Sequence, residues 1–121
     1  MQLRCSPRIP VRYPANVQTD DAAGAGTLFD LSATGCRMQS KVAMRPGTYL
    51  ALHIDAPEEP VPLAVEVSVV RWCRDDQFGI EFLRYRSGDR DRVTNLVEEF
   101  PLYASTAESR REASVLETVA A

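Results

Sequence analysis

Two short clusters in this chain carry side chains whose types and spacing could do chemistry. The first is Arg4-Cys5-Ser6-Pro7-Arg8, an RxxxR in a stretch that holds no acid before Asp20. Guanidiniums spaced this way can pair with one anionic ligand, and read alone they are also what a solvated basic arm looks like. The second is Asp30-Leu31-Ser32-Ala33-Thr34-Gly35, a DxSxxG. Its simplest physical meaning is a tight turn in which Asp and Ser bond nearby amides while Gly takes a positive φ.

Other chemistry is hard to assemble. The one histidine, His53, falls inside an alternating apolar run with no metal-ligating partner at short spacing. No GxGxxG, P-loop or GxSxG occurs, and the adjacent carboxylates Glu58-Glu59 and Asp75-Asp76 sit among turn formers as solvated residues. Cys5, Cys36 and Cys73 form no CxxC and are odd in number, so neither a zinc ribbon nor a disulfide framework is expected. They read as reduced thiols, with Cys5 the one placed to react.

The elements that must position these clusters alternate with period two. Val11, Tyr13, Ala15 and Val17 mark a half-buried strand, with Pro14 suggesting an edge. Asp20–Gly26, DDAAGAG, reads as turn material and Thr27–Asp30 as a second short strand; after the tight Leu31–Gly35 connection, Cys36 and Met38 continue on one face as a third. Thr48–Ile54 follows, then the β-branched run Val61–Trp72, then Phe78–Phe82. About six strands suit a small closed or nearly closed antiparallel barrel. The period then changes: Asp89 can cap a helix in which Val93, Leu96, Val97 and Phe100 form one apolar stripe. Ser105 and Glu108 resemble a capping box opening a helical tail with a thin apolar face.

A chain of 121 residues accommodates one domain. The expected division is a domain over 1–103, made of an arm (1–10), a barrel (11–83) and a helix (88–103), followed by a tail over 104–121. Net charge is −3 although the first strand and arm carry Arg4, Arg8 and Arg12, so the polarity favours a small anionic partner over DNA or RNA. No window approaches the roughly 18 apolar residues of a spanning helix, and no apolar leader precedes the arm, so a cytoplasmic protein without membrane insertion is expected.

Taken together, the RxxxR, the strand and loop behind it, and the DxSxxG closely resemble the bipartite signature of PilZ domains. Val69-Val70-Arg71-Trp72 and Phe78-Gly79-Ile80-Glu81-Phe82 are similar to that family's late strands. The resemblance runs over about residues 3–100. It implies a mainly β protein, a six-stranded antiparallel β-barrel of the split-barrel type with a C-terminal α-helix, that binds cyclic di-GMP and needs no cofactor or metal. Carried over residue by residue, the binding positions are Arg4, Arg8, Asp30, Ser32 and Gly35, with Trp72 a provisional addition that is also suited to packing.

The chemistry of these residues agrees with such a ligand. Arginine can engage a phosphate, guanine O6 and N7, or the base face, and Asp30 can accept from guanine N1–H and N2–H. Leu3 stands where many members have a further arginine, which favours one ligand molecule per chain. The resemblance implies a non-catalytic receptor whose bound state alters contacts with an unidentified protein partner controlling motility, polysaccharide or biofilm. The alternatives are a PilZ-like interaction adaptor that binds no nucleotide and, more remotely, a split-barrel flavin enzyme. Few apolar residues and mutual arginine repulsion suggest that the arm, Met1–Pro10, orders only when an anion neutralises it.

Overall fold

A computed structural model describes residues 7–99. Arg4, Cys5, Leu3, Phe100 and the tail containing Ser105 and Glu108 lie outside the described residues.

Six strands close on themselves: β1 (Ile9–Gln18), β2 (Ala23–Ser32), β3 (Gly35–Ser40), β4 (Tyr49–Ile54), β5 (Leu63–Arg74) and β6 (Gln77–Tyr85). Their order around the barrel is β1-β2-β3-β6-β5-β4, all neighbours antiparallel, with β4 returning to β1. One helix, α1 (residues 89–99), follows. The alternation read in the sequence explains the interior, because inward positions supply Val17, Leu28, Leu31, Met38, Leu52, Ile54, Leu63 and Val65, all fully buried. Val93, Leu96 and Val97 join the same core from the helix, which docks by the stripe its period requires.

Several local expectations need correction. Ala23–Gly26 is not turn material but the first part of β2, and only Thr19–Ala22 forms the turn, closed by Thr19 N donating to Ala22 O at 2.8 Å. Glycine is used in that strand because the neighbouring strand lies so close: a Cβ on Gly26 would strike the Gln39 carbonyl and the Met38 side chain. Pro14 does not mark an edge strand, since β1 has neighbours on both sides. It sits where the pairing with β4 ends, at Ala15, so its missing N–H breaks no rung. β1 begins at Ile9, which is buried, so Ile9 and Pro10 belong to the barrel rather than to the arm. β6 runs on to Tyr85, three residues past its expected end at Phe82.

Asp89 does not bond the first-turn amides of its own helix. Its carboxylate instead accepts from Ala64 N of β5 at 2.8 Å and pairs with Arg86 and Arg92, both at 2.9 Å, fastening α1 to the barrel. Burial alone would raise the pKa of this carboxyl, but the Ala64 amide, the Arg92 hydrogen bond and the Arg86 charge outweigh it and hold the group below the ordinary carboxylate range. A folded-state pKa lowered in this way stabilises the fold above the unfolded value of about 3.9, and that contribution is lost as pH falls through the folded value. Asp89→Asn should therefore unfold at lower urea than wild type at neutral pH, and the gap should narrow as both are acidified below about pH 4. A gap independent of pH would exclude an ionised Asp89 as its source.

No helix among the described residues is long and apolar enough to cross a membrane. No group of histidine, cysteine, aspartate and glutamate side chains among them is arranged to hold a metal ion.

Candidate functional site

The barrel register brings the candidate residues into one row. Asp30 on β2 faces Arg37 on β3, Arg37 faces Gly79 on β6, and Gly79 faces Trp72 on β5. Pro10 lies opposite Asp30 on the other side, which delivers Arg8 from just before β1. The row is bent by irregularities in pairing: between Leu28 and Asp30, between Pro10 and Tyr13, and between Val70 and Trp72. Extra residues at such points break strict alternation, so Arg71 and Trp72 are both exposed although they are consecutive.

Asp30 is the centre. Its Oδ1 accepts from Arg8 Nη1 at 2.5 Å and its Oδ2 from Arg37 Nε at 3.0 Å. The carboxylate side chain is only 10% exposed, whereas the two arginine side chains are 51% and 48% exposed. One buried anion thus fixes two half-solvated cations, and each guanidinium keeps N–H donors to spare. Arg37 is steadied further by the Phe29 ring, whose centroid lies 5.1 Å from its Cζ.

Across the groove, Trp72 lies against the bare backbone of Gly79: any Cβ there would run into the indole. The ring therefore has one side packed on β6 and remains 37% exposed. Arg71 pairs with Glu81 at 2.5 Å at the same rim, both side chains being well solvated, so this pair contributes little to the fold and is cheap to rearrange. The groove these residues line holds about 620 Å³ and carries three guanidiniums, those of Arg8, Arg37 and Arg71, against the two carboxylates of Asp30 and Glu81. An electropositive, open groove with an aromatic platform suits a phosphate-bearing ligand with flat rings.

Ser32 and Gly35 have different parts from Asp30. Ser32 is buried, and its Oγ accepts from the amides of Thr34 at 3.2 Å and Gly35 at 3.1 Å, closing the turn between β2 and β3. Gly35 does not have the positive φ expected of a turn glycine. Among the described residues only Gly47, Gly88 and Asp75 do. Glycine is required because a Cβ at this position would collide with the Ile80 carbonyl of β6. The exposed tip of the turn, Thr34, borders the groove together with the buried Gly35 beside it.

Arg37, Arg71 and Glu81 were not singled out from sequence as site residues. For Arg37 a signal existed: a two-residue turn at Ala33–Thr34 pairs Ser32 with Gly35, and counting outward sets Asp30 opposite Arg37. His53 is exposed on β4, far from this row in register. Cys36 is fully buried beneath the groove, and burial pushes its thiol well above the ordinary range, which makes it unreactive. A second depression, about 690 Å³, lies among the turns containing Asp20, Lys41, Arg45 and Asp76, and none of the signature residues lines it.

The protein-family model for the PilZ domain matches residues 2–99. The chain belongs to the PilZ domain family. Solved PilZ domains are similar in fold: that of YcgR from Escherichia coli, determined with c-di-GMP, has a TM-score of 0.62 at 15% identity over 90% of this chain and 98% of that one. The PilZ domain of CeSA from a cellulose-synthesizing bacterium gives 0.59 at 18% identity, over 79% of this chain and 99% of that one. The inhibitor of motility MotI/DgrA of Bacillus subtilis gives 0.72 at 20% identity and covers 85% of this chain, which spans 53% of that protein's length. No curated protein sequence is significantly similar. The closed six-stranded antiparallel barrel followed by a helix is thus a PilZ fold, and PilZ domains serve as binding and regulatory modules.

Proposed function

We propose that this PilZ domain is a receptor for cyclic di-GMP that works by binding, not catalysis. The observation that carries the reading is the row Asp30–Arg37–Gly79–Trp72, with Arg8 held on Asp30, in one electropositive groove. Asp30 holds Arg8 and Arg37 so that their remaining donors meet a phosphate or the O6/N7 edge of guanine. Each carboxylate oxygen keeps a free lone pair with which to accept from guanine N1–H or N2–H. Trp72 offers a face for a base, and Ser32 and Gly35 act through the turn that presents the Thr34–Gly35 backbone. Arg4, one RxxxR spacing before Arg8, supplies a further cation. The c-di-GMP carried by the PilZ domain of YcgR, and the control of motility by MotI/DgrA, make the same ligand and a protein partner in motility, polysaccharide or biofilm control the natural extension to this chain.

Calorimetry of the purified chain with cyclic di-GMP, with GTP and cyclic GMP as controls, tests this. Heat from cyclic di-GMP alone is expected, at about one ligand per chain because Leu3 removes one possible guanidinium platform. No heat with cyclic di-GMP would leave the nucleotide-free adaptor as the better account, and a ratio near two would overturn the stoichiometry.

A further inference from the structure

The end of β6 holds a side chain that the signature does not contain but that grips the signature turn. Tyr85, the last residue of β6, donates its hydroxyl hydrogen to the Ala33 carbonyl at 2.7 Å, across 52 positions of sequence. Phe82 of the same strand supports it in two ways. Phe82 N donates to Thr34 O at 2.8 Å, and the Phe82 ring meets the Tyr85 ring edge-on, with centroids 5.6 Å apart.

Ala33 and Thr34 are two of the three variable positions of the DxSxxG. Their carbonyls are thus tied to β6 while their turn is closed from the inside by the Ser32 hydroxyl. Burial raises the Tyr85 phenol far above its ordinary pKa, so it stays a donor throughout the physiological range. The next residue, Arg86, donates to Pro62 O at 2.8 Å and pairs with Asp89, so the strand end carrying Tyr85 is itself anchored.

We propose that Tyr85 is a positioning residue of the ligand site: its hydroxyl fixes the Ala33–Thr34 turn, and with it the backbone that borders the groove. This rests on the receptor reading above for its ligand. The tyrosine does not touch the groove, so its effect on binding passes entirely through the turn. Losing one such bond without losing the ring should weaken binding about three- to tenfold, the range of one net hydrogen bond.

The experiment uses Tyr85→Phe, which keeps the ring contact with Phe82. Calorimetry with cyclic di-GMP should show the three- to tenfold loss, and amide exchange of the ligand-free protein should be faster at Thr34, Gly35 and Phe82 only. Ser32→Ala acts on the same turn, so its loss and that of Tyr85→Phe should combine to less than their product, whereas Trp72→Ala should multiply independently. Uniformly faster exchange over the barrel would mean general destabilisation and overturn the positioning role, as would unchanged turn exchange or unchanged affinity. Should wild type bind no cyclic di-GMP while the Phe variant still loosens the turn, the receptor reading falls and Tyr85 is a turn clamp with no ligand role.

Discussion

Replacing Asp30 with alanine should weaken cyclic di-GMP binding by about 2–4 kcal/mol while leaving the barrel folded. The carboxylate is nearly buried and serves two cations at once, Arg8 and Arg37. Without it, both guanidiniums lose the anion that orients them toward one groove, and their mutual repulsion is no longer offset. The fold suffers less, because both arginine side chains are about half exposed and water can take over the lost hydrogen bonds. Arg8→Ala should give a loss of similar size, since it removes a donor and leaves Asp30 with one partner fewer. Asp30→Asn keeps the shape but cannot attract two cations, and should fall between wild type and the alanine variant. Calorimetry, with melting curves to confirm folding, checks all three. Wild-type affinity in a folded Asp30→Ala protein would remove this carboxylate from the site.

Gly35→Ala should lower the stability of the whole domain by about 1–3 kcal/mol, the usual penalty for forcing a methyl group into a packed site. The obstacle is the Ile80 carbonyl on β6, part of the backbone and not the tip of a side chain that can swing away. Relief therefore requires β3 and β6 to separate where Gly35 faces Glu81 and Cys36 faces Ile80. That is also the floor of the groove, so ligand affinity should fall in the same variant. Urea denaturation provides the measure. An alanine variant as stable as wild type would show that the two strands have room to spare and that the glycine serves another purpose.

How far the sequence led can be seen in those two residues. Asp30 and Gly35 were identified because the motif that contains them is short and recognisable, and the alternation of apolar residues was enough to expect six strands and a docked helix. The sequence did not disclose what Gly35 is for. Its need for glycine arises from a strand more than forty residues away, where the Ile80 carbonyl lies, and turn chemistry cannot reveal a clash of that kind. The misassignment of Ala23–Gly26 has the same root, since glycines there serve close strand packing rather than a turn. Asp89 looked like a helix cap by its type and place, but the amide it takes belongs to Ala64, chosen by tertiary contact.

Arg37 is legible as well, because counting outward from a two-residue hairpin at Ala33–Thr34 sets it against Asp30. Arg71 and Trp72 were not legible together in that way. Strict alternation puts neighbours on opposite faces, and the irregularity between Val70 and Trp72 breaks that alternation in a strand end that is exposed from Arg71 to Arg74. Arg4 falls outside the described residues, and its candidacy rests on the spacing of the RxxxR.

The seating of Trp72 on Gly79 has a practical side. The chain contains a single tryptophan, at the rim of the groove, with one side held against backbone and about a third of its surface open to solvent. A purine stacked on it, or a guanidinium drawn past it, would change the polarity around that ring and little else that emits in the same band. Excitation at the red edge of protein absorption therefore reports from this groove alone, with no label attached, and the native chain carries its own optical probe.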